Sequence, residues 1–89
     1  MISDSDRAVI ARCAQKYEAS AIYLFGSSLI EGEGARDIDL GVKGVQPALF
    51  FKLYGELMRQ LSKPVDLVDL SHQTRFNALV EKRGIKIFY

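Results

Sequence analysis

The 89-residue sequence has one cysteine, one histidine and no hydrophobic run near the roughly 18 residues that span a bilayer. The lone cysteine, Cys13, excludes an internal disulfide and fits a reducing compartment. A net charge of +1 offers no electrostatic basis for binding DNA or a membrane surface. The acidic amino terminus lacks the basic segment that opens a signal peptide. These absences predict a cytoplasmic protein without direct contacts to membrane or DNA.

The length predicts a single domain over residues 1–89. With 48% hydrophobic and 26% charged residues, the composition is that of an ordinary globular protein. A chain this short buries only about 60–65% of its unfolded surface, so a partner would add useful stability. Neither Cys13 nor His72 is expected to be catalytic, because Cys13 falls on a hydrophobic helix stripe and His72 just after a helix cap.

Hydrophobic periodicity and turn residues predict eight elements along the chain. They are a helix at about 4–18 capped by Ser3 or Ser5, a strand at 21–25, a helical turn at about 27–30, a strand at about 37–42, a helix from Pro47 to Leu61, a strand at 64–70, a helix capped by Ser71 and ended by Gly84, and a strand at 85–89. A glycine-spaced loop is expected at 31–34. This order predicts an α/β (α+β) fold, a small mixed β-sheet with helices packed on it.

Two short polar motifs lie at the ends of predicted strands. Gly26-Ser27 ends the first strand, and Asp37-Ile38-Asp39 opens the second. Carboxylates at i and i+2 of a strand share a face, repel one another and call for a cation such as Mg²⁺. A glycine backbone lets phosphate oxygens approach the amides. Each motif alone is common in turns and exposed strands, but their ordered combination favours a metal and phosphate site.

The third predicted strand carries two more acids, Asp66 and Asp69, which alternation places on opposite faces. Asp66 lies between Val65 and Leu67, where an unpaired carboxylate is costly, so we expect it to be the third acid of the site. Asp69 lies near the strand end and suits a loop or cap. Three carboxylates with two Mg²⁺ ions could clamp an in-line displacement at phosphorus, with Asp66 also accepting the acceptor's proton.

Gly26-Ser27, Asp37-Ile38-Asp39 and Asp66 together resemble the nucleotidyltransferase superfamily related to DNA polymerase β, and above all its minimal, MNT-type branch. The resemblance covers most of the chain and implies the polymerase β-like nucleotidyltransferase fold. It implies that Asp37, Asp39 and Asp66 bind Mg²⁺ and catalyse, and that Gly26 and Ser27 hold the triphosphate of ATP or another nucleoside triphosphate.

The sequence departs from the family pattern around the phosphate motif. Residues 28–31 contain no arginine, although many members carry one there, and Arg36 replaces a serine that many members have before Asp-x-Asp. Arg36 is either a phosphate ligand or a solvated loop residue. The linker between the two motifs is also about one residue shorter than in the common pattern.

Minimal members of the family are similar to antitoxins that pair with HEPN-type toxin proteins, and some transfer AMP to a partner's tyrosine. The resemblance therefore implies a Mg²⁺-dependent nucleotidyltransferase that modifies a hydroxyl of a HEPN-type partner. Two alternatives remain open: an antitoxin that only masks its partner, and a small-molecule, aminoglycoside-type nucleotidyltransferase.

The long helix from Pro47 has more hydrophobic side chains than one face can bury. At 100° per residue, Phe51 and Met58 lie away from the face that Leu53 and Leu57 define. The last strand, 85–89, adds a hydrophobic element suited to a sheet edge. We expect at least one of these surfaces to stay exposed and to bind a partner or a second copy of the chain.

Overall fold

The structure, a computed structural model, describes residues 2–31 and 34–89. The helices are α1 (Asp4–Lys16), α2 (Ser27–Ile30), α3 (Pro47–Gln60) and α4 (Arg75–Arg83), and the strands are β1 (Ala21–Phe25), β2 (Ile38–Lys43), β3 (Val65–Asp69) and β4 (Ile85–Phe88). The order of elements is the predicted one, and the predicted α/β fold class is confirmed. Gly32 and Glu33, in the predicted loop at 31–34, lie outside the described residues.

The strands form one mixed sheet in the order β3-β2-β1-β4. β1 pairs antiparallel with β2 and with β4, while β2 and β3 pair in parallel. A parallel pair cannot be closed by a tight turn, and α3 provides the crossover between β2 and β3. In this register Asp39 of β2 lies beside Phe25 of β1 and beside Asp66 of β3. The predicted position of the last strand at a sheet edge is confirmed.

One face of the sheet carries the main core. Alternate residues of β1, β2 and β3 point to this face and pack against α1 and α3; they include Ile22, Leu24, Ile38, Leu40, Val42, Val65 and Leu67, and they meet Ile10, Cys13, Ala14, Leu53 and Leu57. The amphipathic patterns of α1 and α3 thus account for which helix faces are buried. Cys13 is a buried core residue, as predicted, and burial raises the pKa of its thiol.

The opposite face of the sheet is only partly covered. Val80 of α4 packs there with Ala21, Tyr23 and Leu70. Asp39 and Asp66 belong to this second face, because each alternates with buried leucines on its strand and the two are register partners. Asp66 is exposed and Asp39 is half-buried. The fold therefore presents two carboxylates on neighbouring strands where a ligand can reach them.

The amino terminus of α1 matches its prediction. The Ser3 hydroxyl caps the helix by accepting a hydrogen bond of 3.2 Å from the Asp6 amide. The buried Asp6 carboxylate in turn accepts from the amide of Ser62 at 3.0 Å and from the Ser62 hydroxyl. This contact ties the start of α1 to the segment that connects α3 with β3.

Several predicted boundaries move. The sequence predicts Ser71 as the cap of α4, but Thr74 caps it, because the Asn77 amide donates to the Thr74 hydroxyl at 3.0 Å. The Ser71 amide instead donates to Asp69 Oδ1 at 2.9 Å. Gly84 ends α4 as predicted but is extended rather than left-handed; a side chain there would lie 2.5 Å from the Val80 carbonyl oxygen. No helix in the described ranges is long and apolar enough to cross a membrane.

Candidate nucleotide site

The turn after β1 brings its backbone against the Asp39 side chain. Gly26 has φ +66° and ψ −146°, a conformation that side-chain-bearing residues rarely adopt. A Cβ atom at this position would lie 2.5 Å from Asp39 Oδ2 and 3.1 Å from its Cγ. Glycine is therefore favoured for two reasons: the backbone angle, and the approach of the Asp39 carboxylate, which would have to shift for a larger residue. The predicted pairing of Gly26 with the Asp-x-Asp strand is a direct contact in the fold.

Two consecutive serines attach this turn to β2. The Ser27 hydroxyl donates to Asp39 Oδ2 at 3.3 Å. The buried Ser28 hydroxyl donates to the Phe25 carbonyl at 2.8 Å and accepts from the Asp39 amide at 3.1 Å. Ser28 thus sets the distance between the end of β1 and Asp39. Sequence reasoning missed this role, and its only signal was a second serine directly after Gly26-Ser27.

The pKa of the Asp39 carboxyl group is raised by its surroundings. Burial raises its pKa above the ordinary value, hydrogen bonds from the Ser27 side chain and backbone oppose that rise, and the negative charges of Asp66 and Asp37 add to it. The net direction is upward. Asp39 therefore lies close enough to both other acids for their charges to disfavour its ionised form.

The two acids of β3 lie on opposite faces, as predicted, and only Asp66 is on the face of Asp39. Asp66 is the parallel partner of Asp39, whereas Asp69 lies on the opposite face and accepts a hydrogen bond from the Ser71 amide in the loop that follows. Asp66 Oδ1 also accepts a hydrogen bond of 3.4 Å from the Tyr54 hydroxyl of α3. Helical spacing alone puts Tyr54 on the hydrophobic stripe of α3 with Leu53 and Leu57 and gives no sign of this contact.

Asp37 and Arg36 stand at the margin of this cluster. The prediction that Asp37 begins the second strand is wrong: β2 starts at Ile38, whose amide donates to the Pro64 carbonyl at 2.8 Å. Asp37 is exposed, and it is linked to the site through its charge on Asp39. Arg36 is exposed and makes no hydrogen bond or ion pair with any residue in 2–31 or 34–89.

The three aspartates of the site offer ligands that suit a hard cation, although their carboxylates are not gathered around one point. Asp39, Asp66 and Asp37 offer only oxygen ligands, and their mutual repulsion is what a divalent cation relieves. Within the described ranges, no three His, Cys, Asp or Glu side chains are already arranged to hold a metal ion. The acids therefore fit Mg²⁺ by their chemistry, with Asp39 and Asp66 on adjoining strands and Asp37 just before β2.

A hydrophobic groove borders the site on the side of Gly26. It has a volume of about 390 Å³ and lies between α2 and α4, lined by Phe25, Gly26, Leu29, Ile30, Phe76, Leu79, Val80, Arg83 and Gly84. The rings of Phe25 and Phe76 meet edge to face, with centroids 5.9 Å apart. Gly26 belongs both to this groove and to the contact with Asp39, so the two features are continuous.

The sequence profile of the family described as "Polymerase beta, Nucleotidyltransferase" matches residues 8–89. The chain therefore belongs to this family and is a nucleotidyltransferase. The resemblance carried by Gly26-Ser27, Asp37-Ile38-Asp39 and Asp66 is confirmed at the level of the family. No curated protein matches the chain.

Solved structures with the same fold come from toxin–antitoxin complexes. A toxin–antitoxin complex with AMP-PNP has a TM-score of 0.73 and 24% identity, over 91% of this chain and 71% of that chain. The MntA–HepT complex has a TM-score of 0.70 and 22% identity, over 96% and 71%. The tri-AMPylated Shewanella oneidensis HEPN toxin in complex with MNT antitoxin has a TM-score of 0.68 and 23% identity, over 92% and 68%. At these identities the likeness establishes the fold alone.

Proposed function

We propose that this chain is a Mg²⁺-dependent nucleotidyltransferase that transfers AMP from ATP to a hydroxyl of a HEPN-type partner protein, as the antitoxin of the pair. The observation that carries the proposal is the junction of β1, β2 and β3. There the Asp39 carboxylate lies beside Asp66 on one side and against a Gly26 turn with no room for a side chain on the other. A triphosphate laid along Gly26 and Ser27 would bring its α-phosphate to these acids.

Each site residue then has a separate task. Asp37, Asp39 and Asp66 would hold two Mg²⁺ ions, which supply positive charge for the phosphates when bound. The amides at Gly26 and Ser27 would receive phosphate oxygens, and Arg36, exposed and unpaired in the described ranges, would add a mobile positive charge. Asp66, which is more exposed than Asp39, would accept the proton of the attacking hydroxyl.

The choice of substrate and partner is supported by the relatives. Solved relatives contain AMP-PNP in one case and an AMPylated HEPN toxin in another. The described residues, 2–31 and 34–89, form one sheet with its helices. A protein hydroxyl brought by a partner is the acceptor that these relatives support.

A partner-masking antitoxin without catalysis is the second candidate. The observation in its favour is the absence of arginine at residues 28–31, where many family members carry one. The aminoglycoside-type alternative is less well supported. The groove beside Gly26 is mostly hydrophobic and includes Arg83, whereas aminoglycosides are polar and polycationic.

The proposal is tested with ATP labelled at the α-phosphate, with and without Mg²⁺, and a co-expressed HEPN-type protein. Label should pass to the partner only with Mg²⁺. Asp37→Asn and Asp39→Asn should each abolish the transfer, because each removes ligand charge, while far-ultraviolet circular dichroism shows an unchanged fold. Asp69→Asn is the matched control: like Asp39 it is a strand aspartate, but it faces away from the site and should retain transfer.

Two outcomes contradict the proposal in different ways. Transfer at the wild-type rate by both Asp37→Asn and Asp39→Asn would mean that the metal assignment is wrong. Binding of ATP with Mg²⁺, together with partner inhibition but no label on the partner, would leave the masking antitoxin as the function.

A further inference from the structure

We propose that Tyr54 is itself an acceptor of AMP, so that the chain carries a self-modification site beside its third acid. This inference rests on the proposed function. The Tyr54 hydroxyl lies 3.4 Å from Asp66 Oδ1 and donates a hydrogen bond to it. Asp66 is the acid proposed to accept the proton of an attacking hydroxyl. The Tyr54 hydroxyl therefore already donates to the carboxylate that would take an acceptor's proton.

The Tyr54 ring is held in place by its surroundings. It packs against the main core from α3 and meets Phe50 edge to face, with ring centroids 6.1 Å apart. Its hydroxyl is therefore presented to Asp66 from a helix rather than from a mobile terminus. A hydrogen bond of this length is weak, so the phenol loses little when it gives up the contact with Asp66 to bond to phosphorus.

The other three tyrosines provide a comparison within the same chain. Tyr17 donates to Glu56 at 2.8 Å between α1 and α3, and Tyr23 is buried. Tyr89 is 86% exposed, and its ring lies 5.4 Å from the Lys86 ammonium. None of the three has a hydrogen bond to Asp37, Asp39 or Asp66. Tyr54 is thus distinguished by its contact with the site, not by its accessibility.

The reaction balances without further reagents beyond Mg²⁺ and ATP. The Tyr54 oxygen forms a bond to the α-phosphorus, and the bond from that phosphorus to the oxygen bridging to the β-phosphate breaks. Pyrophosphate leaves with the electron pair of that bond. The phenol proton passes to the Asp66 carboxylate and then to solvent. The product is a phosphodiester between Tyr54 and AMP, with no change of oxidation state.

The sequence makes the product easy to locate. Trypsin cleaves after Lys52 and Arg59 and releases the peptide Leu53–Arg59, in which Tyr54 is the only residue with a hydroxyl group. The chain is co-expressed with a HEPN-type protein, purified, incubated with Mg²⁺ and ATP, digested and analysed by mass spectrometry. We expect this peptide to gain one adenylyl group, the mass of AMP less one water, both after incubation and in a fraction of the protein as isolated. The initial rate per molecule should not change on dilution, since the acceptor is in the same chain.

Two variants serve as controls. Tyr54→Phe keeps the ring and should abolish self-labelling. Its unfolding temperature should stay within a few degrees of the wild type, because it loses only one exposed hydrogen bond. Tyr89→Phe removes the most exposed tyrosine and should leave self-labelling unchanged.

The outcomes separate this inference from the proposed function. Label on the partner with an unmodified Leu53–Arg59 peptide overturns the inference and leaves the proposed function standing. Label found on Tyr89 instead would mean that modification follows exposure, which also overturns it. Absence of label from both proteins overturns the proposed function and the self-modification together.

Discussion

Replacing Gly26 with alanine tests the geometry on which the whole site depends. The substitution adds one carbon atom, and the fold opposes it in two separable ways. The backbone at Gly26 has φ +66° and ψ −146°, close to a region that only glycine populates freely. The new Cβ would also lie 2.5 Å from Asp39 Oδ2, well inside van der Waals contact.

The expected loss of stability follows from these two terms. A strained backbone conformation of this kind costs about 1–3 kcal/mol. If the Asp39 side chain rotates away to relieve the contact, the total stays near 2 kcal/mol, which in a domain of about 60–100 residues lowers the unfolding temperature by about 8–16 °C. Rotation would also break the hydrogen bond from the Ser27 hydroxyl to Asp39 Oδ2. Nucleotide transfer should therefore fall more than stability alone explains.

Thermal unfolding followed by circular dichroism, together with transfer of labelled AMP, measures both effects. Gly34→Ala is the matched control, because an added Cβ there meets no atom of the described residues within 4 Å and its backbone is not left-handed. A double-mutant cycle separates the terms. In an Asp39→Ala background the clashing carboxylate is gone while the backbone strain remains, so Gly26→Ala should cost less than in the wild type, with a coupling of about 0.5 kcal/mol or more.

Equal unfolding temperatures for Gly26→Ala and Gly34→Ala would refute both the backbone angle and the close approach. Additivity in the cycle would refute the close approach alone, since the cost of Gly26→Ala would then be independent of the Asp39 carboxylate.

Three further predictions concern single side chains. Asp66→Asn should lower transfer by orders of magnitude while Asp69→Asn loses little, and the reverse ranking in a transfer assay would make Asp69 the third acid. Phe51→Glu should weaken self-association or partner binding, measured by light-scattering chromatography, and leave the monomer folded, because Phe51 is 78% exposed. Lys52→Glu is its charge control. Equal effects of the two substitutions would refute a hydrophobic interface. Because folding raises the pKa of Asp39 above its ordinary 3.8, the folded state binds more protons just above that pH. The free energy of unfolding should therefore fall as pH rises from 3.8 to the raised pKa of folded Asp39. Urea unfolding should show a smaller fall for Asp39→Asn, which lacks this group, than for the wild type.

The helices and strands were predictable because their signals are local. The α3 pattern, for example, placed Leu53 and Leu57 on one face and Phe51 and Met58 off it, and the structure buries the first pair and exposes the second. The start of α4 was not predictable in the same way. Ser71 and Thr74 are both good caps, and the choice depends on Asn77, whose side chain donates to the carbonyls of Asp69 and His72.

The site shows the same division between local and long-range information. Gly26-Ser27 and Asp37-x-Asp39 could be found as motifs, and the apolar neighbours of Asp66 marked it as anomalous. The contact of Tyr54 with Asp66 could not be found that way.

That contact depends on the side of the sheet to which α3 returns and on the parallel register of β2 with β3. By periodicity alone, a tyrosine on the buried stripe of a helix is a packing residue, and its ring does pack. Its hydroxyl nevertheless reaches beyond the core to the acid on the edge strand. A side chain with an apolar body and a polar end can therefore pack in the core and contact the site at once. Hydrophobic patterning predicts only the packing.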